Sequence, residues 1–386
     1  MIRGRAGSGC AAMPVVRCHA GCAAMPVTRE GPGGGVVFEA GHPDRENEHM
    51  KYSKGEAKEY ARETLRGIWT SLPYHFTADD ALDEAAIRRN VEIVISALRV
   101  DGHYSDGNVA EFWSMSLAER MRAQETMLEA TAGRVPLMAG THHQSAADAL
   151  ALTRHAEAIG CDFAILLTPY VAARSDAAVL EFFRYIAERV DIGLVLFNSP
   201  GVAHALSPAL AAELARIPNV CAMKQADTNP ETTLRLEEAV GDLITISVAD
   251  ETVWLHNMTQ LGHRWLLTYT PHLYQRAGYL PVRDYTALAG AGDIAAAARL
   301  SASLTPLRKV NAKWILEPWR LGRMPIAAMK AWMEMIGMDG GPVRPPVVPI
   351  SGAERAALRA DLEGAGLVGR TFAPGGAERR LAGAAS

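Results

Sequence analysis

Eight short apolar runs recur along this chain, each followed by an amphipathic stretch, and that rhythm limits the fold more than any single motif does. The runs are Ile68–Leu72, Val100–Tyr104, Val135–Gly140, Asp162–Thr168, Gly193–Asn198, Val220–Gln225, Leu243–Val248 and Trp265–Tyr269. Each has strand length, and none alternates polar with apolar residues, which is how strands buried on both faces read. Between them Ile87, Val91, Val94 and Leu98 recur at helical steps of three and four, as do Val179, Phe183, Ile186 and Val190. Ser207-Pro208 and Asn229-Pro230 put a capping side chain before a proline at the first helical position. Asp250 is placed to cap the helix after the seventh strand, and Gly262 to end it. Eight such units predict an α/β chain closed into a (β/α)8 TIM barrel. An open doubly wound sheet is the alternative, but no GxGxxG follows the first strand.

The barrel core is expected over residues 51–272. Residues 273–370 read as the final barrel helix and a C-terminal helical appendage, with three helices before residue 337. Gly340-Gly341-Pro342-Val343-Arg344-Pro345-Pro346 excludes helix and predicts an extended crossing segment, followed by one last helix over residues 352–364. Residues 371–386 read as a disordered tail. Residues 1–50 look foreign to the rest: GCAAMPV occurs at Gly9–Val15 and again at Gly21–Val27, without hydrophobic periodicity. They read as a disordered leader, or as sequence upstream of a start at Met50. An organelle transit peptide fits less well, and a secretory signal would need a continuous apolar centre that is absent. Cys10, Cys18, His19 and Cys22 match no established zinc spacing.

With 386 residues, 49% of them hydrophobic, the chain can bury a large core. A formal net charge of -4 with no basic stripe argues against a nucleic-acid partner, and no apolar run is long enough for a membrane span. Cys161 and Cys221 lie in apolar core segments, the usage expected of reduced thiols in a cytoplasmic protein. The Gly33–Gly35 run has neither the preceding strand nor the following Lys-Ser/Thr of a phosphate loop, so no cofactor is expected.

In a barrel of this kind the chemistry sits where strands end and helices begin. Lys224, in Val220-Cys221-Ala222-Met223-Lys224-Gln225, is the one lysine inside an otherwise apolar strand. A buried lysine is costly unless it is deprotonated, paired or reacting. Desolvation lowers its pKa and frees the lone pair to attack a carbonyl. The plainer alternative is a structural ion pair with Asp250 or Glu111.

From about residue 65 to 350 the chain resembles the dihydrodipicolinate synthase/N-acetylneuraminate lyase family of class I aldolases. The resemblance is carried by Phe76-Thr77 with Leu82-Asp83-Glu84, Glu111-Phe112 with Ser114-Met115-Ser116 and Glu119-Arg120, and Ala139-Gly140-Thr141. It continues through Leu167-Thr168-Pro169-Tyr170, Asn198-Ser199-Pro200-Gly201, Val220–Lys224 and Val343-Arg344-Pro345-Pro346, in that order. It implies a barrel with a C-terminal helical appendage, a Schiff-base lysine at Lys224, and a homotetramer.

The departures bear on function. The resemblance implies a proton-shuttling tyrosine before Asn198, where this chain has Phe197, and a second tyrosine where it has Val171. A phenyl ring neither donates nor accepts a proton. The carboxylate-binding threonine pair corresponds to Asn108 and Val109, the following glycine to Ala110, and an arginine of dihydrodipicolinate synthases to Val202, which argues against lysine biosynthesis. Trp265 replaces a strand-eight glycine and is expected to re-aim that side of the pocket. Polar strand-end candidates for proton transfer are His75, His103 with Tyr104, His142 with His143, Asp250 with Glu251, and Tyr269 with His272. His142 and His143 are preferred because they open the loop after strand three. Glu111 is expected to shape its loop rather than exchange protons.

Asn108, Val109, Phe197, Val171 and Leu267 are the expected substrate-binding positions. No metal set is assigned: strand one ends Tyr74-His75-Phe76 without a His-x-His pair. These features predict a lyase, an aldolase or hydro-lyase, acting on a pyruvate-like 2-oxo acid with a nonstandard proton path. Apolar pocket positions point to a substrate less polar than a sugar acid. The alternative is a decayed barrel that binds a small carbonyl compound or a partner protein without turnover.

Overall fold

In the computed structural model, which describes residues 50–227 and 229–369, eight parallel strands pair in chain order and the eighth returns to the first. They are β1 (Gly67–Ser71), β2 (Gly102–Tyr104), β3 (Leu137–Gly140), β4 (Phe163–Leu166), β5 (Gly193–Asn198), β6 (Val220–Gln225), β7 (Thr245–Val248) and β8 (Trp265–Thr268). The closed barrel of the sequence reading is therefore the fold, and the open sheet is not. β5 and β6 match their apolar runs to the residue. Others are shorter than their runs, because apolar residues continue to pack after the ladder hydrogen bonds stop.

Seven helices follow the first seven strands: α2 (Glu84–Glu92), α3 (Leu117–Thr131), α4 (Ala146–Ile159), α5 (Asp176–Ala187), α6 (Pro208–Ala215), α7 (Pro230–Val240) and α8 (Trp254–Gln260). The side chains of Asp83, Ser116, Ser145, Ser175, Ser207 and Asn229 accept first-turn N–H groups, satisfying donors that the helix leaves orphaned. Asp250 caps the short 3-10 turn leading into α8, and Gly262, at φ +70, follows that helix.

Two apolar clusters result. One lies between sheet and helices; the other fills the barrel with Trp69, Met138, Phe163, Ile165, Val195, Trp265 and Leu267. Helix α1 (Ala57–Thr64), ahead of β1, adds Ala57 and Ala61 to the interior cluster. The lysines before and within it are not merely solvated. Lys54 donates to the carbonyls of Ala187 and Val190, and Lys58 to that of Ala215, so both ammonium groups satisfy the C-terminal ends of α5 and α6.

After β8 come α9 (Thr270–Tyr274), α10 (Pro281–Gly290), α11 (Ile294–Ser303), and α12 (Thr305–Asn311), which runs through a π turn into α13 (Glu317–Arg320), then α14 (Ile326–Met335). The three helices expected before residue 337 are thus too few. Ala-rich faces blur the periodicity, whereas the breaks are set by Gly292 at φ +86 and by prolines at the starts of α10 and α12. Residues 340–344 are neither helix nor strand, as the prolines require, but Arg344–Val347 close a turn in which the Val347 N–H donates to the Arg344 carbonyl at 3.0 Å, so the expected extended course is broken at its end; α15 (Gly352–Gly364) follows. Residues 1–49 of the expected leader and the expected tail of residues 371–386 lie outside the described residues. No helix among the described residues is long and apolar enough to cross a membrane.

Candidate active site

The site begins with strand parity. Lys224 and Phe197 are register partners across β6 and β5, and their neighbours Gln225 and Asn198 point the other way, where the Asn198 amide donates to Gln225 Oε1 at 2.7 Å. That alternation turns Lys224 inward. Its ammonium nitrogen lies 3.4 Å from Tyr104 Oη and 4.2 Å from the centroid of the Phe197 ring.

Both acids considered as ion partners are engaged elsewhere. Glu111 pairs with Lys330 at 2.6 Å, and the Asp250 carboxylate accepts from Thr252. Among the described residues Lys224 has no carboxylate within ion-pair distance. Burial alone lowers its pKa from 10.5 to about 7, so near neutrality a large share of the amine is unprotonated and nucleophilic.

Lys224 opens into a cavity of about 530 Å³ at the C-terminal end of the barrel. Asn108, Val109 and Phe197, expected as substrate contacts, line it with Lys224. Val171 does not; its side chain is 65% exposed. Leu267 is buried in the barrel interior, off the cavity wall. Trp265 sits at the start of β8 with its ring edge-on to Trp69 at 5.8 Å, so it packs the interior instead of re-aiming the pocket. The wall from β8 is Thr268, followed by Tyr269 and Thr270.

The structure places His142 and His143 in a separate cavity of about 140 Å³ with Phe112 and Tyr170. His142 is buried edge-on to the Phe112 ring, and burial with the Arg120 guanidinium holds its pKa well below the usual range. His143 accepts the Ser145 N–H at the start of α4. The other histidines are also committed elsewhere. His75 bonds the Gly340 carbonyl and Asn90, His103 turns outward to Thr131 on α3, and His272 meets Thr70. Of the strand-end polar candidates, Tyr104, Asp250, Glu251 and Tyr269 line the cavity, and Tyr104 alone reaches Lys224.

Sequence reasoning missed Ser71 and the contribution of the appendage. Ser71 is the register partner of Tyr104 across β1 and β2, so both side chains share the interior face. Asn311, Trp319 and Arg320 close the far wall from α12 and α13. Parity counted from Lys224 around the barrel would have flagged Ser71; nothing local marks the appendage residues.

A buried, unpaired lysine on strand six, facing a cavity at the strands' C-terminal ends, invites comparison with known proteins. The model of the dihydrodipicolinate synthetase family matches residues 64–365. The chain belongs to that family. A 4-hydroxy-tetrahydrodipicolinate synthase of Methanothrix thermoacetophila is 32% identical over 299 residues, covering 76% of this chain and 95% of that protein. One from Halorhodospira halophila is 29% identical, with 75% and 92% covered. Among solved structures, a prophage protein of the dihydrodipicolinic acid synthase family from E. coli K12 in complex with pyruvate superposes with a TM-score of 0.70 at 22% identity, covering 78% of this chain and 99% of that one. N-acetylneuraminate lyase from Mycoplasma synoviae gives 0.66 at 21%, with 78% and 96% covered. At those identities the superpositions speak to the fold alone. Lyases of this family act on pyruvate through a Schiff-base lysine.

Proposed function

We propose that this protein is a Schiff-base-forming lyase, an aldolase or hydro-lyase, that acts on a pyruvate-like 2-oxo acid through Lys224. The observation that carries the reading is the state of that amine: buried, without a carboxylate partner, its pKa lowered to about 7, and open to a cavity. Attack of the neutral amine on the ketone carbon, then protonation of the carbinolamine hydroxyl by an acid and loss of water, would give an iminium, which takes up the electron pair released when a neighbouring C–C or C–O bond breaks. Asn108, in the cavity wall, would hold the substrate carboxylate through its side-chain amide. The cavity has more room than a three-carbon acid needs, and Val109, Phe197 and Val202 in its wall favour a 2-oxo acid whose remote part is less polar than a sugar. The setting we assign is the cytoplasm, as a homotetramer; a monomeric mass by light scattering would count against the assembly.

The test is chemical trapping. Incubation with pyruvate and a panel of larger 2-oxo acids, then borohydride, is expected to leave a reduced adduct on the Lys224 peptide of the wild type and none in Lys224→Ala. The trapping rate is expected to fall about tenfold per pH unit below about pH 7, where the amine becomes protonated, and to level off above it. Absence of any adduct across the panel would favour the non-catalytic binding barrel instead.

A further inference from the structure

Imine chemistry needs a proton donor and acceptor beside the amine, and position 197 supplies only a phenyl ring. We infer that Tyr104 on β2 is the catalytic acid and base of this site, an assignment that rests on the Lys224 reading above. Its hydroxyl is the sole hydrogen-bond partner of Lys224 among the described residues, at 3.4 Å. The oxygen of a carbinolamine is carried by the same carbon as the lysine nitrogen, so a phenol at that distance is within reach of it.

The surroundings of Tyr104 suit a group that must be an acid first and a base second. The side chain is buried, and burial holds the phenol above its usual pKa, so it enters the reaction protonated. The Ser71 hydroxyl and the Asn108 N–H face the phenol oxygen and favour its anion. Ser71 Oγ, itself buried, makes no competing hydrogen bond among the described residues. The charged groups that bear on the phenol are Lys224 and, on its own strand's exit, Asp106, whose charge is held by Arg120 at 2.8 Å. Gly107 lies against the two hydroxyls: a Cβ there would collide with both Ser71 Oγ and Tyr104 Oη. A side chain at 107 would push the pair out of place, so glycine at this position fits a precisely seated phenol.

The proton balance closes without another reactant. The amine adds to the ketone carbon, one nitrogen proton passing to the oxygen to give a neutral carbinolamine. Tyr104 then donates its proton to the departing hydroxyl. The C–O bond breaks, water leaves, and an iminium faces a tyrosinate. The tyrosinate removes a proton from the adjacent C3, the C–H pair becomes the enamine double bond, and both charges are neutralised. Run backwards, the same phenol protonates the enamine carbon.

The test uses pyruvate as the probe, in deuterium oxide, following loss of its methyl proton signal by NMR, with borohydride trapping in parallel. Tyr104→Phe is expected to slow protein-catalysed exchange at least a hundredfold, the usual scale for losing a general acid–base, while a long incubation still traps Lys224. That residual adduct shows that the barrel and its amine are intact. Exchange in Tyr104→Phe within about threefold of wild type would overturn the assignment and leave Lys224 standing. Failure of the wild type to exchange or trap any 2-oxo acid would remove Lys224 and Tyr104 together. A second variant places 3,5-difluorotyrosine at 104, keeping the ring and hydroxyl but making the phenol more acidic. The pH profile of exchange is expected to move to lower pH, and an unmoved profile would overturn the proposal even if Tyr104→Phe folds poorly.

Discussion

Lys224→Met is expected to abolish the trapped adduct and, at pH 6, to raise the stability of the fold by several kcal/mol. The sign follows from protonation. In the unfolded chain the amine titrates near 10.5, and in the barrel near about 7 because burial penalises the ammonium form. Between those values the unfolded chain binds a proton that the folded one does not, so wild-type stability rises with pH across that window. Below about pH 7 both states are protonated and the full cost is present, on the order of 5 kcal/mol for a fall of this size. Near pH 8.5 roughly half of it remains, and by about pH 10.5 almost none. A methionine fills similar volume without a charge, so it recovers that cost and no more. The measurement is a pair of urea unfolding curves at pH 6 and at a pH near 10. A variant equally stabilised at both would show that the gain comes from packing. One destabilised at pH 6 would show that Lys224 is held as a stable ion pair, contrary to the site as described.

How far the sequence leads is visible in the two faces of β2. The run Val100–Tyr104 announced a buried strand, and the eight runs together announced the barrel. The run did not say which of His103 and Tyr104 would face inward, because a strand with apolar residues on both sides carries no period of two to fix its parity. Histidine, with its convenient pKa, drew attention to His142 and His143, which open the loop after β3. Burial then takes His103 to about 3 and His142 well below its usual range, so residue type misleads where desolvation dominates. Lys224 was legible because a charge in an apolar strand has no bland place to go. Val171 was carried over by position in a motif, which does not fix exposure, and Leu267 faces the barrel interior but lies off the cavity wall. The far wall from α12 and α13 was invisible, since the contact of Asn311 and Arg320 with the cavity arises from how the appendage folds back, not from a local pattern.

The second large effect is expected at Glu111, whose carboxylate sits at the end of the loop after β2 without lining the cavity. It is fully buried, its φ of 58 lies in the left-handed region, and it joins two parts of the appendage: Lys330 of α14 at 2.6 Å and the backbone N–H of Arg344, which donates to Oε2 at 3.0 Å. Arg344 in turn bonds Asp80 at 2.9 Å and Glu119 at 2.8 Å, so the segment around Arg344 is pinned to the connections after β1 and β2. Glu111→Gln keeps the shape and removes the charge, leaving a buried ammonium opposite an amide. Breaking one half of such a pair costs about 3–5 kcal/mol, which for a chain of this size corresponds to a Tm roughly 4–8 °C lower. The strained backbone at 111, itself worth on the order of 1 kcal/mol, loses part of what holds it. Adding Lys330→Met to Glu111→Gln is expected to recover much of the loss, because the cost lies in the unpaired charge and not in the missing contact. Urea unfolding of the two single variants and the double variant measures that coupling. Trapping separates the roles: Glu111→Gln that is still folded should form the Lys224 adduct at close to the wild-type rate. Loss of trapping with unchanged stability would instead make Glu111 a participant in proton transfer, and what holds the Arg344 segment to the barrel would have to be sought elsewhere.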